Sequence, residues 1–162
     1  MSTQFNALEI LKIAMNVEKQ GENFYKRCVE VNSEPEVKAV FKELQEDEQE
    51  HYQYFKRLLE IFDEEDKSIT RDYLYDPEVN QYLRALVDTK IFPDDEEVTD
   101  DIAHNLLEAI EVGIKAEKNS LLLYSELLEM EIDEQTLDAL EKLIIEEKRH
   151  LIKLEVLKSA IS

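Results

Sequence analysis

The stretch Glu48-Gln49-Glu50-His51 decides how this chain is read, because it returns 99 residues later as Glu147-Lys148-Arg149-His150. A single Glu-x-x-His carries little weight among 39 acidic residues in 162. Its repetition carries much more. The same 99-residue shift places Glu18 on Glu117, Lys19 on Lys118 and Tyr25 on Tyr124 with no gap.

These polar residues interrupt apolar stripes. Steps of four and three give Val37, Phe41, Leu44, Glu48, His51, Phe55, Leu58 and Phe62, and the repeat gives Thr136, Leu140, Leu143, Glu147, His150, Leu154, Leu157 and Ile161. Each is the inward face of a helix with one Glu and one His set into its middle. The helices before them read Ala7, Leu11, Ala14, Glu18, Gly21, Tyr25, Cys28 and Leu106, Ile110, Gly113, Glu117, Ser120, Tyr124, Leu127. An unpaired carboxylate in a low-dielectric core costs on the order of several kcal/mol, so four of them need compensating positive charge. No Lys or Arg lies on these stripes. A metal ion is the available compensator.

Composition narrows the class. Two glycines, three prolines and 43% hydrophobic residues in 162 favour long helices around one core, hence a single all-α domain. A net charge of -20 repels nucleic-acid phosphates and anionic lipid, so neither is an expected partner. The sequence has neither a basic, apolar leader nor a run near the roughly 18 apolar residues of a membrane span, and a cytoplasmic location is expected. Cys28 alone makes no disulfide and no thiolate metal cluster. It reads as a small core residue, and His104, outside the repeat, reads as a surface or packing residue.

In chain order, a first helix from about Asn6 to Val31, capped by Asn6 and Glu9, is followed by a turn in which Ser33 can cap a second helix to about Asp63. A crossover over 64–99 is bounded by acidic runs, Asp63-Glu64-Glu65-Asp66 and Asp94-Asp95-Glu96-Glu97. It holds a short helix opened by Asp76-Pro77 and ending near Thr89. A third helix is expected from about Asp100 to Met130, and a fourth, capped by Asp133, to near the C-terminus. Two helical hairpins, 5–63 and 100–161, thus form a four-helix bundle with one long crossover. Each glycine sits inside a helix, where it costs about 1 kcal/mol relative to Ala. Gly21 follows Glu18 and Gly113 precedes Glu117, which suggests room kept beside each buried Glu for something other than a side chain. The run Leu121-Leu122-Leu123 gives the third helix a second apolar face, read as a homodimer surface or as deeper core.

The candidate metal ligands are Glu18, Glu48, His51, Glu117, Glu147 and His150. Two divalent ions would balance the four carboxylates. A hydrogen-bonded polar network without metal is the bland alternative. Oxygen and imidazole donors without thiolate suit iron or manganese better than structural zinc, and one Glu from each of two helices plus Glu-x-x-His from the other two is the pattern of di-iron and di-manganese carboxylate bundles. Tyr25 and Tyr124, seven residues after Glu18 and Glu117, are either core aromatics or hydroxyl donors to a ligand carboxylate. As donors they are the catalytic candidates.

Asn16-Val17-Glu18-Lys19 with Tyr25, Asp47-Glu48-Gln49-Glu50-His51, Ala116-Glu117-Lys118 with Tyr124, and Glu146-Glu147-Lys148-Arg149-His150 together resemble the rubrerythrin-type branch of the ferritin-like superfamily. The resemblance spans both hairpins. It implies a ferritin-like bundle holding two Fe ions, or Mn, with Zn able to substitute during purification. Glu48 and Glu147 would bridge, Glu18 and Glu117 would be terminal, and His51 and His150 would bind one ion each. It further implies reduction of hydrogen peroxide or O2 by an external donor such as a rubredoxin-like protein, with ferroxidase or iron storage, or a non-enzymatic metal-stabilised bundle, as alternatives. Two departures stand out: Ser120 occupies the place where the family usually has a second carboxylate on the third helix, and the Cys pairs of a rubredoxin-like domain are absent from this sequence.

Overall fold

With so few helix breakers, each apolar stripe is carried by one long helix. The computed structural model of the chain describes residues 7–65, 81, 85, 91–92, 105–129 and 134–161. These form α1 Ala7–Val31, α2 Pro35–Glu65, α3 Leu106–Leu128 and α4 Glu134–Ile161, with no strand among the described residues. None of the described helices is long and apolar enough to cross a membrane. The three-residue turn between α1 and α2 makes them antiparallel neighbours, and α3 pairs with α4 in the same way. Across the bundle α1 meets α3 and α2 meets α4, so the hairpins are related by exchange of equivalent helices. Among the described residues, four helices in two hairpins make the expected all-α four-helix bundle.

Local chemistry sets the helix ends. Asn32 Nδ2 donates to the Cys28 carbonyl at 2.7 Å and closes the C-terminus of α1. The next helix begins one residue later than a Ser33 cap requires: Pro35 takes the first helical position, where its missing N–H costs nothing, and Lys38 N–H donates to the Glu34 carbonyl at 3.0 Å. The expected start of the third helix near Asp100 is also corrected. Asn105 is extended, at φ -83° and ψ 96°, and its side chain accepts from Glu108 N–H at 3.2 Å, so α3 begins at Leu106.

Every described stripe residue between Leu11 and Leu58 is buried, as are those from Ile110 to Leu154 in the second hairpin. The ends are looser. Leu106 and Leu157 are half-buried, and Ile161 at the end of α4 is exposed. The side chains of Ala7 and Phe62 lie outside the described residues, as do the Asn6 and Asp133 caps, the acidic run 94–97 and His104. Gln81 and Ala85 are helical, while the rest of the expected 76–89 helix is likewise outside them.

Two expectations about free space and free surface change. A Cβ on Gly21 would lie 2.8 Å from Glu48 Oε2 and 3.0 Å from the Phe92 ring, and one on Gly113 would lie 3.1 Å from Leu154 and 3.3 Å from the Tyr25 hydroxyl. The room left by both glycines is therefore filled by side chains of this chain, not reserved for a ligand. In the leucine run of α3, Leu123 is buried and Leu121 packs partly buried on the core, leaving Leu122 alone exposed. The run thus turns Leu123 into the core and Leu122 outward.

Candidate metal centre

Halfway along the bundle the four helices each turn a carboxylate inward, and α2 and α4 add an imidazole. Glu18, Glu48, His51, Glu117, Glu147 and His150 are all at most 3% exposed. Their donor atoms fall into two overlapping groups, Glu18, Glu48, His51, Glu147 and Glu48, Glu117, Glu147, His150, within each of which one atom per residue lies within 4.8 Å of every other. Glu48 and Glu147 belong to both groups. Glu18 and His51 belong to one only, Glu117 and His150 to the other. The structure thus brings all six candidates together, in the arrangement of two positions sharing two carboxylates.

The imidazoles are held from behind. His51 Nε2–H donates to Glu146 at 2.6 Å and His150 Nε2–H donates to Asp47 at 3.0 Å. Each Nδ1 then faces the cavity, His51 Nδ1 at 2.7 Å from Glu147 Oε1 and His150 Nδ1 at 3.4 Å from Glu48 Oε1. Both supports cross between hairpins, from α4 to α2 and from α2 to α4. The tyrosines repeat this exchange between α1 and α3: Tyr25 donates to Glu117 Oε1 at 2.7 Å, and Tyr124 donates to Glu18 Oε1. Four polar links therefore tie hairpin to hairpin around the site. Both tyrosines are buried, and each hydroxyl lies on a candidate ligand carboxylate.

Burial and carboxylate charge keep the Tyr25 and Tyr124 protons on, well above the usual phenol range. Among the acids, burial and the charges of Glu18, Glu147 and Glu117 push Glu48 well up, and burial with Glu147 brings Glu117 to about 8. Burial opposes ionisation of Glu18 and Glu147 too, but hydrogen bonds from neighbouring carboxyl and imidazole groups hold both below the normal carboxylate value. Burial alone would depress the histidines. The charge of Glu18 and the bond to Glu147 instead carry His51 up to about 11, and Asp47 with Glu117, Glu147 and Glu48 raises His150 further. These directions favour protons on Glu48, Glu117 and both imidazoles, which offsets the charge of Glu18 and Glu147 in the metal-free core. Protons on histidine are thus a second compensator beside metal, one that a count of Lys and Arg overlooks.

Among the described residues seven buried atoms are paired with nothing but one another, if at all: Glu18 Oε2, Glu48 Oε1, His51 Nδ1, Glu117 Oε2, both Glu147 oxygens and His150 Nδ1, with His51 Nδ1 2.7 Å from Glu147 Oε1. All seven belong to the six candidate ligands. A buried polar group left unpaired costs about 1–3 kcal/mol, and carboxylate oxygen with imidazole nitrogen is a donor set that suits iron or manganese. The residues present fit a pair of such ions.

Two kinds of supporting residue are not legible from the Glu/His repeat alone. Asp47 and Glu146 stand immediately before Glu48 and Glu147, and the signal was an acid in that place in both halves. Phe92, in the crossover, is buried against Phe24 and Tyr25, with both ring centroids 5.8 Å away, and walls the Tyr25 side of the site. No periodicity marks it. Asp47 gives a direct check on the outer support: Asp47→Ala should lower affinity at the His150 position about 10- to 100-fold while sparing the other, seen as two unequal steps in a metal titration.

A sequence model described as Rubrerythrin matches residues 9–158. A crystal structure from Thermotoga maritima, named as a candidate ferritin-like diiron-carboxylate protein, superposes with a TM-score of 0.79 at 27% identity over 100% of both chains. No curated protein matches.

Proposed function

The chain belongs to the rubrerythrin family, and on that premise we propose that its Glu/His cavity holds two iron ions and reduces hydrogen peroxide, or O2, with electrons from an external donor such as a rubredoxin-like protein. The observation that carries this reading is the set of seven buried atoms paired with nothing but one another, all on the six Glu and His residues that form the two overlapping groups. Bound as a ferrous pair, the ions would supply the two electrons that, with two protons, convert hydrogen peroxide into two waters.

The chain's own residues supply placement and protons. Glu48 and Glu147 would join the two positions and hold them at a fixed separation. Glu18 and Glu117 would each close one position, their free oxygens facing inward while the other oxygen takes a tyrosine hydroxyl. His51 and His150 would offer Nδ1, with the Nε2–H bonds to Glu146 and Asp47 fixing the tautomer. Tyr25 and Tyr124 hold the protons nearest the terminal carboxylates and are the residues from which a proton can enter the site. The apolar wall of Phe24, Phe41, Phe55 and Phe92 keeps bulk water from competing.

Stopped-flow mixing of the anaerobic ferrous protein with peroxide tests the reading. The expected result is rapid oxidation of both irons per peroxide, and repeated turnover when a one-electron reductant is supplied. Inertness to peroxide beside fast oxidation by O2 would instead assign ferroxidase chemistry. Inertness to both would leave a metal-stabilised bundle.

A further inference from the structure

The duplicated unit does not carry the same charge twice. Around the site, residues 14–22 and 44–54 of the first hairpin correspond to 113–121 and 143–153 of the second. Outside the six ligands, the first pair of segments sets Lys19 against Glu22, Glu46, Asp47 and Glu50. The second sets Lys115, Lys118, Lys148, Arg149 and Lys153 against Glu146 alone. One flank of the site is therefore acidic, like the chain as a whole at -20, and the opposite flank is basic. Pairing sharpens the contrast. Lys19 is engaged by Glu22 at 3.2 Å and lies 5.4 Å over the centroid of the Tyr52 ring. Its counterpart Lys118 has Leu121 and Leu151 in those two places. Lys153 is held by Glu43 on α2, but Lys115, Lys118, Lys148 and Arg149 are exposed and make no ion pair among the described residues. Unpaired like charges add nothing to the fold, and they turn this flank into a surface that attracts an acidic macromolecule.

We propose, resting on the reductive reading of the site, that the outer flank of α3 and α4 docks the electron donor and that this donor is a small acidic protein with a one-electron redox group. Position favours it as well as charge. Lys118 and Lys148 directly follow Glu117 and Glu147 in the chain, so a partner seated on them is separated from the site by one helix, about 10 Å thick. A groove lined by Glu111, Ile114, Lys115, Lys118, Asn119 and Lys158 extends the contact along α3. Two molecules of the reduced partner, docking in turn, each give up one electron and leave oxidised; the two electrons with two protons turn one peroxide into two waters. The acidic flank across the bundle repels the same partner and limits it to one approach.

Zinc-substituted rubredoxin, an acidic protein inert to electron transfer in this form, is the binding probe, titrated into the full chain with and without metal at low salt. Saturable binding is expected in both states, lost at high ionic strength. Lys118→Glu combined with Lys148→Glu should weaken it roughly tenfold or more, and Glu46→Lys combined with Glu50→Lys on the opposite flank should not. In the iron-loaded protein the lysine reversal should slow reduction by iron rubredoxin by a similar factor while sparing metal content and reduction by an uncharged hydroquinone. A wild type that does not bind the probe at low salt, or binding that the lysine reversal leaves unmoved, would overturn the proposal. So would a reversal that instead releases the chain from phosphatidylglycerol vesicles or from a second copy of itself, since the flank would then serve a lipid surface or self-association. Binding intact in a protein inert to peroxide would support the docking flank while refuting the reductive reading, so the two fail separately.

Discussion

Glu147→Gln is expected to abolish the metal pair while leaving the metal-free protein folded. Glu147 is fully buried with both oxygens turned to the imidazole nitrogens of the site, Oε1 at 2.7 Å from His51 Nδ1 and Oε2 at 3.5 Å from His150 Nδ1, and it belongs to both ligand groups. Its loss removes a charged donor from each position at once. Affinity should fall on the order of a hundredfold or more per ion, and the thermal stabilisation that metal gives the wild type should vanish with it. The metal-free protein responds differently. Glu117 is kept protonated by burial and by the charge of Glu147, so neutralising Glu147 lets Glu117 ionise and restore the balance with the two imidazolium ions. Calorimetric melts of both forms, with metal analysis, separate these outcomes. A variant that still binds two ions as tightly as wild type would show that the shared carboxylate is not a bridge.

Loading the site should release close to four protons for each pair of divalent ions bound near pH 7. His51, raised to about 11, His150, raised further, Glu117, at about 8, and Glu48, raised well above its usual range, all hold protons in the metal-free core at that pH. Metal requires the deprotonated form of each, so the exchange replaces four protons by four metal charges. The combined affinity for the pair should therefore climb by up to about ten-thousandfold per pH unit, less as pH approaches 8 and Glu117 begins to ionise unaided. Stability moves in opposite directions in the two forms. Glu117, with its folded value above its unfolded one, contributes stability to the metal-free protein that is fully present below about 4.5 and lost as pH rises through about 8. His51 acts with the same sign, fully present below 6.5 and lost through about 11. The metal-loaded form gains over the same range. The gap between the two melting temperatures should widen from pH 5 to pH 8, and calorimetry in buffers of different ionisation enthalpy counts the protons. A release near zero would mean the six side chains are not displaced by metal.

These expectations rest on polar links that run between the two hairpins. Tyr25 to Glu117, Tyr124 to Glu18, His51 to Glu146 and His150 to Asp47 each join residues more than 90 positions apart. Within each hairpin the cluster adds closer-in contacts, His51 with Glu18 and His150 with Glu117 at 3.5 Å. The site is therefore also the fastening between the two repeats, and whatever occupies it stabilises their union. Two ions at a thousandfold excess over their dissociation constants would add about 4 kcal/mol each.

How far the sequence reaches follows from what kind of signal each feature leaves. Helix number, the two hairpins and the inward faces were legible because burial on a helix recurs every three to four residues, and Glu18, Glu48, His51, Glu117, Glu147 and His150 were conspicuous as polar breaks in that recurrence. The family resemblance was legible through the same residues. Helix starts were less so: Asn105 and Asp100 are both competent caps, and only the backbone conformation at Asn105 chooses between them. The leucine run of α3 and the isoleucines of α4 show the same limit from the other side. Leu121 and Leu123 are covered and Ile145, Ile152 and Val156 are not, although all are equally apolar.

By itself the sequence determined the bundle, its internal duplication and the six residues that meet at its centre, because a periodic pattern fixes which face of each helix turns inward. Only the tertiary structure decided which hairpin supports which: that Glu146 braces His51 and Asp47 braces His150, that each tyrosine serves the opposite helix, and that Phe92 and Glu48 fill the space over Gly21. Those pairings depend on how one helix lies across another, and a linear pattern carries the facing of each helix but not the register between two of them.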